Sequence, residues 1–321
     1  VMPFDLERGP LLRVRLLRLG EQDHLLLVTV HHIVADGWSF GILLDEFARL
    51  YAGSALSPLP MSLADYLAWQ RQELLGSDQG PALDYWRRTL DGEREPLALP
   101  LDHPRGLLPS AARRLSLNLD AGLCVRLQEL GKAQGVSTFM LLLAAFQVLL
   151  HRYTGQGDIR VGVPSANRQH LESQGLIGFF INTQVLRGRI DGRQGFDSVL
   201  EQVRSTVLQA QAHQGIDYEQ VSAALGDAAG FEVMFNHLQR DTSALRRLPG
   251  LFAEELPWHS REAKCDLQLH SEQDQQGRIR LSFDYAVALF DAVTIERLAR
   301  HFVNLLTQLC LQPQQAVGEV E

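Results

Sequence analysis

The feature that most constrains this chain is a change of hydrophobic period within one short stretch. Residues 24–33, HLLLVTVHHI, read as a strand returning from the alternating run LLRVRLLRL at 11–19, with GEQD as the turn between them. After Gly37 the spacing switches. Phe40, Leu43, Leu44, Phe47, Leu50 and Tyr51 recur at i, i+3, i+4, i+7, i+10 and i+11, which marks one face of a helix, and Gly53 is placed to end it. HHIVADG at 31–37 is therefore the connection from a hairpin strand into a helix. Both faces of that strand are apolar, which predicts cover on both sides. If the strand continues through the histidines, His31 and His32 point to opposite faces.

Two adjacent imidazoles at such a place can pack, or one can move a proton, because imidazole titrates near neutrality. Asp36 can orient a ring or hold the loop by pairing with an arginine. Gly37 permits a tight turn and leaves an N–H at the helix start, where developing negative charge is favoured. Adjacent strand histidines diverge and no cysteine or acidic cluster completes a ligand set, so metal binding is not expected.

The rest of the chain alternates helical and strand patterns, which predicts an α/β fold. Helices are expected in MSLADYLAWQRQEL, PALDYWRRTL, AGLCVRLQELGKAQG, STFMLLLAAFQVLLHRY, residues 196–213 and FDAVTIERLARHFVNLLTQL. Ser137 and Gly155 are set to cap the fourth of these. Strands are expected in LSLNLD, DIRVGVPSAN, IGFFINTQVLRGRI, FEVMFNHLQ and the hairpin DLQLHSEQDQQGRIRLSFDY. The proline-rich, aperiodic stretch 92–114 reads as a linker between two lobes, 1–106 and 107–321.

With 321 residues and 45% hydrophobic content, a sizeable core is available. A net charge of −8 without a long basic run argues against nucleic acid as the main ligand. Cys124, Cys265 and Cys310 are few and far apart, which argues against a disulfide framework or zinc site and suits a reducing cytoplasm. The longest apolar run, FMLLLAAF, is too short to span a bilayer and reads as a buried helix. The opening VMPFDLERGP reads as the middle of something longer.

HHIVADGWS with FGILLDEFARLY resembles the active-site motif of condensation domains of nonribosomal peptide synthetases. The short HHxxxDG pattern is shared with chloramphenicol and dihydrolipoyl acyltransferases, but further blocks follow in family order. PFDLERGPLLRVRLLRL resembles the segment before the motif, SLADYLAWQRQ the motif after it, and YWRRTL with LALPLDHPR the lobe connection. VGVPSANR, IGFFINTQVLR, HQGIDYEQV and FEVMFNHLQ resemble the later motifs. The resemblance implies a V-shaped pseudo-dimer of two chloramphenicol-acetyltransferase-like lobes around a tunnel. The family's opening motif would precede residue 1, so the N-terminal lobe is expected to be truncated at its start.

The resemblance further implies that a donor acyl or peptidyl thioester and an acceptor aminoacyl thioester arrive on 4′-phosphopantetheine arms of two peptidyl carrier proteins, with an adenylation domain as neighbour. The acceptor amine attacks the donor thioester to form an amide. No cofactor, metal, membrane or nucleic acid is implied for the domain itself. Carried over by position, His32 is the catalytic residue, as base, positioner or stabiliser of the tetrahedral intermediate. His31 and Asp36 are structural, Asp36 pairs across the lobes with Arg168, and Gly37, Trp38 and Asn236 line the tunnel. The alternative to the pair for Arg168 is an exposed surface arginine, and Asn236 reads equally as a strand-end cap. Asn182 is expected to order a loop, and Trp38, Trp69 and Trp86 to anchor packing. An epimerisation domain, a coenzyme A acyltransferase of the same superfamily, and a non-catalytic recruitment platform are the alternatives. The intact histidines, Asp36 and Gly37 count against the last.

Overall fold

The computed structural model describes residues 3–76, 79–106, 111–256 and 262–320. Helices and strands are both present, as expected. Packing divides the chain into two compact units, but not at residue 106. The first comprises 1–77, 166–181 and 242–255, and the second 78–165, 182–241 and 256–321.

In the first unit, β1 (Leu12–Arg18) and β2 (His24–Val30) form the expected antiparallel hairpin, with Leu12 opposite Val30 and Arg18 opposite His24. It is a two-stranded ribbon on its own. The expected cover on both faces is not found. Leu12, Val14, Leu16 and Leu26 are exposed although they share one face. Helix α1 (Gly37–Tyr51) follows, and Gly53 ends it in the left-handed conformation at φ 79°. Its apolar stripe is also mostly open, since Phe40, Phe47, Leu50 and Tyr51 are exposed and the buried positions are Ser39 and Ala48. Helix α2 (Leu63–Gly76) buries Tyr66 in a cluster with Leu176 and Phe180.

The second unit holds the main core. Its elements, in chain order, are α3 (Gly80–Leu90), β3 (Ala112–Asn118), α4 (Ala121–Gln134), α5 (Thr138–Thr154) and β4 (Asp158–Ser165). The one-turn α6 (Leu171–Gln174) belongs to the first unit. Then come β5 (Asn182–Arg189), α7 (Phe196–Ala212), α8 (Tyr218–Leu225), β6 (Val233–Gln239), β7 (Leu267–Gln273), β8 (Ile279–Ala286) and α9 (Ala292–Leu311). The six strands pair in the order β3-β8-β7-β6-β4-β5. β6 runs parallel to both neighbours and the other pairs are antiparallel.

Helix α5 is the centre of this core. Residues 141–150 are all buried, and the helix packs against α4, α7, α9 and β4. Its ends are those expected, with Ser137 accepting the Met140 N–H and Gly155 left-handed at φ 72°. It is a buried helix, and among the described residues no single helix is long and apolar enough to cross a membrane. One side of the sheet is apolar, with Leu267, Leu269, Leu281, Phe283, Val233 and Phe235 buried. Arg114, Asn236, His270 and Asp284 lie half-buried on the other side.

The boundary falls elsewhere than expected for two physical reasons. The stretch read as a linker is aperiodic but anchored. Trp86, Leu90, Leu97 and Leu99 are buried in the second core, and Arg94 pairs with Glu232. Residues 107–110 of that stretch lie outside the described residues. The β4–β5 connection, conversely, packs on α1 and α2 through Arg168 and Phe180. Trp86 anchors packing as expected, donating its indole N–H to the His213 carbonyl at 3.1 Å.

Candidate active site

The strand ends at Val30, before the histidine pair. Pairing runs out because Leu12, the first residue of β1, lies opposite Val30, and the His31 N–H bonds the Leu11 carbonyl just beyond the strand at 2.9 Å. His32–Val34 then form a single 3₁₀ turn capped by His31. The two rings are therefore not placed by strand alternation.

Backbone groups set the two rings in opposite tautomers. The Ile33 N–H donates to His31 Nδ1 at 3.1 Å, so that nitrogen carries no proton. His32 Nδ1 lies 2.8 Å from the Ala35 carbonyl, which can only accept, so Nδ1 is the protonated nitrogen. His32 Nε2 is left as the basic nitrogen of an exposed ring. His31 meets the Phe4 ring edge-on, with centroids 5.7 Å apart, and His32 meets Phe179 in the same way at 5.2 Å.

Asp36 is the N-cap of α1 and is 2% exposed. Its Oδ1 accepts the Ser39 N–H at 2.8 Å, and its Oδ2 accepts the Phe180 N–H at 3.1 Å. Arg168 Nη2 lies 3.2 Å from Asp36 Oδ1. The pair expected from the sequence is present, but both partners belong to the first unit, so it ties one packed body together. Arg168 is buried rather than exposed. It also donates to the carbonyls of Ser173 and Leu176 and to Ser39 Oγ, and its guanidinium lies 4.0 Å from the Phe180 ring centroid. Burial pulls the Arg168 pKa down. Burial alone would raise that of Asp36, but hydrogen bonds from Ser39 and Phe180 and the Arg168 charge hold it below the usual carboxylate range.

Ser39 is a site residue that periodicity does not mark. Its hydroxyl donates to the Gly178 carbonyl at 2.8 Å and accepts the Gly178 N–H at 3.0 Å. With the Asp36–Phe180 bond, this clamps residues 178–180 onto the start of α1. A Cβ at Gly178 would lie 2.8 Å from the Phe180 ring and 3.0 Å from Leu63, so only glycine fits there unshifted. The sequence offers only a serine in the first turn of a helix and a glycine in GFF, and nothing local links the two.

Trp38 is half-exposed and donates its indole N–H to the Gln174 carbonyl at 2.9 Å. Trp69 meets the His170 ring edge-on at 4.7 Å. Gly37 is exposed and does not have the left-handed backbone a tight turn would demand, and a Cβ there would meet nothing within 4 Å. Asn182 orders a loop as expected, through the Ile216 carbonyl at 2.8 Å and the Tyr218 N–H at 3.0 Å. Asn236 lies in the second unit, in the middle of β6 opposite His270, so it is not a strand-end cap. Among the described residues no group of three or more His, Cys, Asp and Glu is arranged to hold a metal ion.

The His32 ring, with no hydrogen bond to Nε2 among the described residues, thus sits on a loop fixed by a buried acid–arginine pair. The chain belongs to the condensation domain family, whose model matches residues 1–321. Its relatives include the linear gramicidin synthase of Brevibacillus parabrevis, one of whose polypeptides is 41% identical over 98% of this chain and 6% of its own length. Surfactin synthase subunit 1 of Bacillus subtilis (strain 168) is 36% identical over 99% of this chain and 9% of that protein. The chain thus spans less than a tenth of these two relatives. Among solved structures, the X-domain from teicoplanin biosynthesis matches with a TM-score of 0.87 and 28% identity, over 100% of this chain and 76% of that one. The first condensation domain of the calcium-dependent antibiotic synthetase, in complex with a substrate analogue, matches with a TM-score of 0.82 and 24% identity, over 99% of this chain and 72% of that one.

Proposed function

We propose that this chain is the condensation domain of a nonribosomal peptide synthetase. It joins a donor acyl or peptidyl thioester to the amine of an acceptor aminoacyl thioester, both carried on phosphopantetheine arms of carrier proteins. The acceptor nitrogen attacks the donor carbonyl carbon, the C–S bond breaks, and the donor arm leaves as a thiol that takes up the proton released by nitrogen. Much of the rate enhancement comes from bringing the two arms to one point.

The observation that carries this reading is the 2.8 Å contact between His32 Nδ1 and the Ala35 carbonyl. The ring's Nδ1–H is committed to that carbonyl, so Nε2 is available to accept a hydrogen bond and then a proton from the attacking amine. His31, Asp36 and Arg168 hold the loop, and Gly37 and Trp38 are lining positions in this reading. Neighbouring adenylation and carrier domains are the proposed partners, in the cytoplasm. The test uses the full-length protein with donor and acceptor carrier proteins loaded from a panel of amino acids. Mass spectrometry should find a dipeptidyl acceptor carrier and a free thiol on the donor carrier. Unchanged carriers across the panel would refute the proposal.

A second reading is supported by one observation. The X-domain that matches this fold is also solved in complex with OxyB. A chain acting as a recruitment platform would bind a partner protein without needing a basic His32 Nε2.

A further inference from the structure

The loop network contains a residue that the proposed chemistry has not used. Phe179 sits between Gly178 and Phe180, and both neighbours are anchored to the start of α1. Gly178 is held through both its N–H and its carbonyl by Ser39 Oγ, and the Phe180 N–H is held by Asp36 Oδ2. Phe180 turns inward and is 7% exposed, whereas Phe179 is left 49% exposed. A phenylalanine that stays half in water between two pinned residues gains little from burial. Its ring instead meets His32, with centroids 5.2 Å apart and planes at 87°. This edge-to-face arrangement is favourable for aromatic rings.

His32 needs such a contact. An exposed imidazole held by one hydrogen bond to a carbonyl can exchange that bond for water and turn over about its Cβ–Cγ bond. The turn exchanges the places of Nδ1 and Cδ2 and re-aims Nε2. We infer that Phe179 is a positioning residue, whose ring keeps His32 in the orientation that bonds Nδ1–H to Ala35 and presents Nε2 to the acceptor amine. The buried Asp36–Ser39–Arg168 network then acts on His32 through residues 178–180 as well as through the 3₁₀ turn. The catalytic part of this inference rests on the proposed function, while the positioning part concerns the ring alone.

The experiment compares wild type, Phe179→Ala, Phe179→Leu and Phe179→Tyr in protein labelled with ¹⁵N-histidine, with the His32 signals assigned by their loss in His32→Gln. Long-range proton–nitrogen spectra at about pH 8, where ordinary imidazole is neutral, distinguish a protonated from an unprotonated ring nitrogen. Wild type and Phe179→Tyr should show His32 Nδ1 protonated and Nε2 bare. Phe179→Ala and Phe179→Leu should shift both nitrogens toward averaged positions. In the same variants, transfer between loaded carriers should fall by about ten- to a hundredfold in kcat, with KM for the acceptor carrier little changed and Phe179→Tyr restoring the rate. A wild-type nitrogen pattern in Phe179→Ala and Phe179→Leu would overturn the inference, and so would an altered pattern at undiminished rate. If the wild type itself transfers nothing between loaded carriers while Phe179→Ala alters the pattern, the ring positioning stands and the proposed function fails.

Discussion

Asp36 and Arg168 form the buried charge pair on which the His32 loop rests. Asp36→Asn removes one charge and leaves the other buried, a change that typically costs about 3–5 kcal/mol. Urea denaturation of the variant should show a loss of that order. An unchanged midpoint together with lost activity would show that Asp36 acts on the chemistry rather than on the loop. This pair was legible in the sequence through its family motifs, because nothing about SANR by itself separates a buried arginine from an exposed one. Ser39 was not legible. A serine near a helix start looks like any capping residue, and its two bonds to Gly178 reach 139 positions along the chain.

The segments show where pattern reading stops. Period 2 located β1 and β2 and the turn between them, but it carried β2 through His31 and His32. The strand ends where its partner does, and that register is set across the hairpin rather than along either run. The apolar stripe of α1 was also visible, yet a stripe does not say what covers it, and the described residues leave much of it open. The clamp between α1 and residues 178–180 offers a test at this scale. Ser39→Ala should cost about 1–3 kcal/mol, the usual penalty for stranding buried partners. Hydrogen exchange at the Gly178 and Phe180 amides should become markedly faster, while exchange within α5 stays slow. Equal protection in the variant would show that the segment is held by packing alone.

For the molecule as a whole, the alternation of elements gave the class, whereas the strand order β3-β8-β7-β6-β4-β5 and the discontinuous units were beyond reach of the sequence. Both depend on which long-range contacts win, such as Trp86 with the second core and Arg168 with the first unit. The second unit should also respond to acid in two stages. Burial lowers the His237 pKa from 6.5 to about 4, so the unfolded chain takes up that proton first and stability falls as pH drops through this window. At Asp284 burial opposes the shift, but hydrogen bonds and charge from Arg114 and His270 lower the pKa from 3.8 to about 2. Its stabilisation is full above pH 3.8 and is lost as pH falls toward 2. Each group contributes at most about 1.4 kcal/mol per pH unit within its window. His237→Asn should flatten the upper stage and leave the lower one, as read by urea midpoints across the pH series. An unaltered upper stage would mean that another group titrates there.

The proposed chemistry turns on His32 Nε2 taking part in forming the amide bond. The most direct measurement is single-turnover transfer between loaded donor and acceptor carrier proteins by the full-length protein and its His32→Ala variant, followed by mass of the carrier-bound product. The variant should remain folded by circular dichroism and form dipeptidyl product at least about a hundredfold more slowly. Transfer at the wild-type rate would contradict that role of His32, whereas no transfer by either protein would favour the recruitment reading of the same fold.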